Sequence, residues 1–279
     1  MQTESDNRPH NPKLLRNELF ATCKWWMGLS ILAKVLVFAV GVSSVWFSLF
    51  PDVAPYVVGG LMMLAELAMW KSDQTRGVAE ALHRKLDFEN SFGWQITKAE
   101  ISDILARADS NLERLGKDKE TGSNFFASRD EPGPERAVGN LQESAWWSKH
   151  LAESMWLRCL TLVIVLVGIS IMLLIVSLHT VSDPLVMGKI GKVVTSVILL
   201  IFSLGLLRFT VGYFKFAKTS EKIEDASKAL AFHPPVEQVA ILKLWQDYQL
   251  ARASAPLLPT WIWRERQKKL NALWASYRM

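Results

Sequence analysis

The chain is poor in the residues that carry chemistry. It has two cysteines in 279 residues, Cys23 ahead of the first apolar run and Cys159 at the start of the third. That pattern argues against a disulfide scaffold and gives no support to a thiolate metal site. The five histidines, His10, His83, His150, His179 and His233, are scattered, with no HExxH motif or paired-carboxylate arrangement. His83 and Asp87 stand one helical turn apart, which on a soluble helix reads as a solvated polar pair. There is no phosphate loop, GxSxG elbow or CxxC. No segment shows the alternation of a strand. The expectation is a helical protein that is not an enzyme and uses no cofactor or metal.

Long apolar runs are what it has in quantity. Leu29–Phe50 and Val53–Trp70 form one pair, and Cys159–His179 and Val193–Phe214 form a second. Each is close to the length that crosses a hydrocarbon core of ~30 Å at ~1.5 Å per helical residue. Backbone amides inside a bilayer must bond within their own segment, so each run should be a helix. The predicted fold is an all-α membrane protein with four transmembrane helices in a 2+2 arrangement and a helical cytoplasmic layer. Its divisions are an N-terminal cytoplasmic segment 1–28, hairpin 29–70, cytoplasmic insert 71–158, hairpin 159–214 and C-terminal helices 215–279. Met1–Lys13 is polar and contains proline, without a signal peptide's short apolar core. The first run is therefore expected to act as its own insertion signal.

Charge sets the expected orientation. The link between the first two runs, around Pro51–Asp52, has no Lys or Arg, and the link at Thr180–Lys192 has only Lys189 and Lys192. Arg8, Lys13, Arg16 and Lys24 precede the first run, and Lys71, Arg76, Arg84 and Lys85 follow the second. Lys215, Lys218 and Lys222 follow the fourth. The positive-inside rule then puts both termini and the insert in the cytoplasm. From Lys215 onward eleven Lys/Arg face six Asp/Glu, whereas 71–158 has thirteen against fifteen. The basic tail reads either as an ordinary positive-inside tail or as a surface for lipid heads or an anionic ligand.

The soluble segments are patterned as helices. Val78, Leu82, Leu86 and Phe88 extend the second run, and Ile223, Ala226 and Leu230 extend the fourth until Pro234–Pro235. Thr97 and Glu100 have capping-box spacing ahead of an apolar face through Ile101, Ile104, Leu105, Ala108, Leu112 and Leu115, with Gly116 as the C-cap. Residues 117–136 read as a loop. A helix resumes near Val138 and feeds the third run, another covers Val236–Ala253, and a last one carries Trp261, Trp263, Leu270, Leu273 and Trp274.

Three ionisable groups interrupt the apolar runs: Lys34, Glu66 and Arg208. Charges at such depth usually face protein or water. Lys34 is near enough to a span end to snorkel. Glu66 and Arg208 read either as a salt bridge between spans two and four or as pore-lining groups. Ser30, Lys34, Gly41, Ser44 and Ser48 share one face of the first run, and Lys192, Ser196, Ser203 and Thr210 share one of the fourth. Such stripes favour close helix packing or, in an assembly, a wet path.

Several of these features together resemble a known family. Asn17–Lys34 with its Ala33–Lys34 pair, the 2+2 layout around a helical insert, Asn140–Leu151 (NLQESAWWSKHL) and Ala255–Trp263 (APLLPTWIW) carry the likeness. The chain resembles the SMODS-associated four-transmembrane effectors, bacterial membrane proteins encoded beside nucleotidyltransferases in anti-phage defence loci. The resemblance implies an inner-membrane pore or ion channel, gated from the cytoplasm by a nucleotide or oligonucleotide made by the partner nucleotidyltransferase. Its opening would depolarise or permeabilise the cell. Four helices hardly enclose an aqueous pore, so this reading needs a homo-oligomer in the lipid bilayer, taken as a tetramer. An anionic ligand needs cations for phosphate and aromatic rings for bases. Arg76, Arg84, Lys85, Trp94, Arg107, Trp261, Trp263, Arg264 and Arg266 are the candidates, each also readable as a surface charge or packing anchor. The alternative is a membrane scaffold that recruits a cytoplasmic partner without conducting.

Overall fold

A computed structural model describes residues 11–47, 52–107, 126, 128 and 130–277. The described residues are helical, with no strand among them. The helices are α1 (Pro12–Phe47), α2 (Ala54–Phe92), α3 (Lys98–Arg107), α4 (Pro134–Thr180), α5 (Pro184–Ser203), α6 (Leu206–Ala231), α7 (Gln238–Ser254) and α8 (Thr260–Tyr277). Arg8, His10, Ser48, Phe50, Pro51, Ala108, Leu112, Leu115 and Gly116, all used in the sequence reading, lie outside the described residues.

Local chemistry explains most boundaries. The capping box forms as spaced: the Thr97 amide donates to Glu100 Oε2 at 2.8 Å, and the Glu100 amide donates to Thr97 Oγ1 at 3.3 Å. Pro134 opens α4 within the stretch predicted as loop, because proline suits a helix's first turn, where its missing N–H leaves no bond unmade. The predicted polar link 180–192 is likewise shorter. Asp183 caps α5 by accepting from the Leu185 amide at 2.8 Å, with Pro184 next, so Lys189 and Lys192 are helical.

The fourth apolar run is not one helix. It breaks between Ser203 and Leu206, where Gly205 takes φ +66° and donates its amide to the Phe202 carbonyl at 2.9 Å. Glycine alone adopts that backbone without strain, and hydropathy is blind to it.

Two compact units emerge. One comprises Trp25–Lys71 and Ser154–Tyr213. Its large apolar side chains are turned outward, among them Leu32, Met63, Ile164, Met172, Leu199 and Phe202. Three helical stretches, Pro12–Trp46, Pro134–Thr180 and Pro184–Ala231, are long and apolar enough to cross a membrane. Their apolar windows are buried by only 17%, 11% and 17%. Apolar surface on that scale belongs in lipid, and the chain is a membrane-embedded protein. The run 53–70 forms the first half of α2 and is not among those three. Glu66 interrupts it, and it passes directly into Lys71–Asp73.

The other unit comprises Met1–Lys24, Ser72–Glu153 and Phe214–Met279. It has interior packing of the ordinary kind. One core gathers Val138, Leu141, Phe216, Ile223, Ile241, Trp245 and Tyr248, and a second gathers Leu15, Leu19, Leu82, Leu86, Ile96, Ile101 and Ile104. Trp245 is fully buried and its indole N–H donates to the Ala137 carbonyl at 3.1 Å. The helices α1, α2, α4 and α6 each contribute residues to both units.

Candidate functional site

On α2, Arg76, Glu80, His83 and Asp87 recur at helical spacing and form a charged ladder beside the apolar stripe of Ala79, Leu82 and Leu86. This ladder is not solvated. Glu80, His83 and Asp87 are largely or wholly buried, and α7 supplies the cation that meets them. Arg252 Nε donates to Glu80 Oε2 at 3.1 Å and Nη1 donates to Asp87 Oδ2 at 2.9 Å. His83 Nε2 stands 3.5 Å from Asp87 Oδ1. The reading of His83 and Asp87 as a solvated pair is therefore corrected: its residues were seen, but their covering by α7 was not.

The clamp is reciprocal. Arg76 of α2 donates from Nη2 to the carbonyls of Arg252, at 3.2 Å, and Ala253, at 2.9 Å, and also to that of Ala255. Those carbonyls close α7, where a helix lacks intrahelical donors and carries partial negative charge. Each helix thus sends one arginine to the other.

Burial sets the electrostatics. It pushes the His83 imidazole well below its ordinary 6.5, and Arg252 and Arg16 act in the same direction, so the ring is neutral. Burial also lifts the Asp87 carboxyl, against the pull of Arg252 and Arg16. Arg252 is held above its ordinary range: burial opposes its charge, and Asp87 and Glu80 more than offset that. Burial raises the Tyr248 phenol, whose oxygen lies 2.7 Å from Ser148 Oγ.

Beside the clamp lies a cavity of about 810 Å³. Lys24, Arg76, Arg252, Glu80, Glu143 and His83 supply ionisable groups to its lining, and Phe20, Phe126, Trp147, Phe216, Tyr248 and Trp263 its aromatic rings. Gln267 and Asn271 of α8 add amides. Two arginine nitrogens, Arg76 Nε and Arg252 Nη2, are buried with no protein acceptor.

The predicted ligand residues divide. Arg76 and Trp263 line this cavity. Lys85 pairs with Glu100 instead, and the exposed Trp94 stacks on Phe88 and Phe92 at 5.4 and 5.1 Å between ring centroids. Arg84, Arg107 and Arg264 are exposed, Trp261 is half-exposed, and Arg266 is partly buried with its Nε unbonded. None of these lines the cavity. Sequence reasoning passed over Glu80, Trp147, Tyr248 and Arg252. The charged ladder on α2 was the available sign, since charges on the edge of an apolar stripe call for a buried partner.

In the apolar unit, Lys34 does not snorkel free. It is buried, and its Nζ lies 3.1 Å from Glu66 Oε1. Glu66 therefore pairs with Lys34 of α1 and not with Arg208, whose side chain is exposed. The lysine reaches it because both groups lie along neighbouring apolar helices. Ser196 and Thr210 bond back to the Lys192 and Leu206 carbonyls of their own helices, while Ser44 and Ser203 are partly buried.

Among the described residues no group of His, Cys, Asp or Glu is arranged to hold a metal ion. No protein-family model matches the chain, and no curated protein or solved structure matches it.

Proposed function

We propose that the chain is a channel-forming effector of the bacterial inner membrane, gated from the cytoplasm by a nucleotide or oligonucleotide that a partner nucleotidyltransferase makes. It crosses four times with both termini inside, works as a homo-oligomer taken as a tetramer, and depolarises or permeabilises the cell when open. The resemblance to the four-transmembrane effectors suggests this activity.

One observation carries the conducting part. The Glu66 side chain is 66% exposed, yet it sits in the apolar half of α2, where its ion-pair partner among the described residues is Lys34. Charged groups within apolar helical stretches usually face protein or water, not lipid. Such a carboxylate belongs against water or another copy of the chain, and a water-lined path in an assembly supplies both. Gating is a population shift: a ligand that prefers one packing of the soluble helices biases the pore accordingly. The shared helices α1, α2, α4 and α6 are the covalent route for that bias.

The test is purified protein in liposomes loaded with a potential-sensitive dye. Nucleotide-dependent ion leakage is expected, and Glu66→Gln should change its rate or selectivity. Tight vesicles under every nucleotide tried would end the channel reading.

A further inference from the structure

Helix α8 begins at the edge of its unit where α1 leaves it. Lys24 Nζ donates to Thr260 Oγ1 at 3.1 Å, and Lys24 is the last residue of the inward-packed unit on α1 before Trp25 opens the apolar one. Arg76, about one turn beyond Ser72, where α2 enters the same unit, holds the Arg252, Ala253 and Ala255 carbonyls ahead of α8. The other end of α8 is held deeper. Tyr277 Oη donates to Glu224 Oε1 at 3.1 Å, and Glu224 lies about 15 Å along α6 beyond Phe214, where that helix enters the unit. The first two turns of α8 are therefore the part that stands nearest, through α1, to the lipid-facing residues.

Those turns present one ring among cations. Trp261 is 49% exposed, and Arg264 and Lys268 are exposed on the same side of the helix, opposite the buried Leu270 and Trp274. From Thr260 to Tyr277 the helix carries Arg264, Arg266, Lys268 and Lys269 against Glu265. Tryptophan favours the headgroup layer, where its ring meets acyl chains and its N–H meets water. Lysine and arginine beside it are drawn to anionic lipids. We infer that the first two turns of α8 rest on the bilayer surface, with Trp261 at headgroup level and Arg264 and Lys268 against the phosphates of anionic lipids. The two cations lie roughly 5 and 10 Å along the axis from Trp261, within the range over which a charged surface acts, about 8–10 Å. Lipid is the occupant because the residue that fixes Thr260 is followed directly by the apolar stretch of α1, so every copy in a membrane has headgroups at this edge. The face is also opposite in charge to an anionic leaflet.

The experiment reconstitutes the full chain in vesicles of phosphatidylcholine, alone or with about one-third phosphatidylglycerol. Some of the lipid carries a nitroxide, either on the headgroup or midway down the acyl chain. The emission lost in Trp261→Phe isolates the signal of Trp261. With phosphatidylglycerol present, the headgroup nitroxide should quench that signal at least two-fold more than the chain nitroxide. Arg264→Gln combined with Lys268→Gln should at least halve the headgroup quenching there and leave it unchanged in phosphatidylcholine alone. Unchanged thermal melts show that these variants fold. Were Trp261→Phe to melt early, a dye on Lys268→Cys replaces it, the native Cys23 and Cys159 being buried, and the same order of quenching is expected. Quenching by aqueous iodide but by neither lipid would put this face in water and overturn the inference. Protection from iodide and from both lipids would mean that protein covers the face, a second copy included, and overturns it equally. Headgroup quenching indifferent to phosphatidylglycerol and to the double variant would refute the pairing with anionic lipid.

Discussion

At the scale of single residues, the inward-packed unit depends on side chains whose partners are far away in the chain. Trp245 fills a core and bonds the Ala137 carbonyl, so Trp245→Ala removes both volume and a buried donor. The expected loss is about 3–5 kcal/mol, read by chemical denaturation in detergent. His83 gives the molecule a pH dependence of known sign. Its folded pKa lies below the ordinary 6.5, so above that value it is neutral in both states and stability is at its full level. As pH falls below 6.5, the unfolded chain takes up a proton that the folded chain refuses, and stability declines until the depressed folded pKa is reached. His83→Asn should flatten the slope of melting temperature between about pH 7.5 and pH 5. A slope unchanged in this variant would place the titration elsewhere. Glu100 acts with the same sign at lower pH. Lys85 and the Thr97 amide and hydroxyl draw its carboxyl from 4.5 down to about 2, and the stability it lends should persist above 4.5 and disappear as pH falls through about 2. Its carboxyl resonance should titrate in that range.

At the scale of elements, helix partnerships decide more than helix propensities. The clamp between α2 and α7 buries two carboxylates against one guanidinium. Arg252→Met strands both and should cost about 3–5 kcal/mol. Adding Glu80→Leu and Asp87→Leu should recover most of that loss, since apolar replacement of a buried ion group is often neutral. A triple variant as unstable as the single one would mean that the clamp organises the fold beyond its charges. The break between α5 and α6 invites a different test. A Cβ at Gly205 would meet nothing within 4 Å, so Gly205→Ala is opposed only by its φ of +66°. The expected penalty is about 1–2 kcal/mol, with the variant pushed toward a straight helix. Helix α1 and helix α2 are also clipped within the inward-packed unit: Ser72 Oγ donates to the Cys23 carbonyl at 3.0 Å, and Cys23 Sγ donates to the Ser72 carbonyl at 3.2 Å.

At the scale of the whole molecule, outward-facing apolar helices and inward-packed helices belong to one chain, and charge pairing marks both. The Lys34–Glu66 pair is the one to reverse. Lys34→Glu and Glu66→Lys should each reduce membrane accumulation and any liposome conductance, because each sets like charges together among apolar residues. The double exchange should restore both. Restoration of accumulation without conductance would limit the pair to a role in packing.

The sequence by itself determined the helical class, the apolar runs, the α3 capping box and the end of α6 before Pro234–Pro235. These depend on composition, periodicity and chemistry within a few residues, all of which lie in the linear chain. It also held the α2 ladder in plain view, but not its meaning. That Arg252 should close on Glu80 and Asp87, that Arg76 should finish α7, and that Glu66 should choose Lys34 over Arg208 are choices among distant cations of equal charge. Only three-dimensional packing ranks them, because Coulomb attraction in a buried setting depends on ångströms of separation that no spacing along the chain encodes.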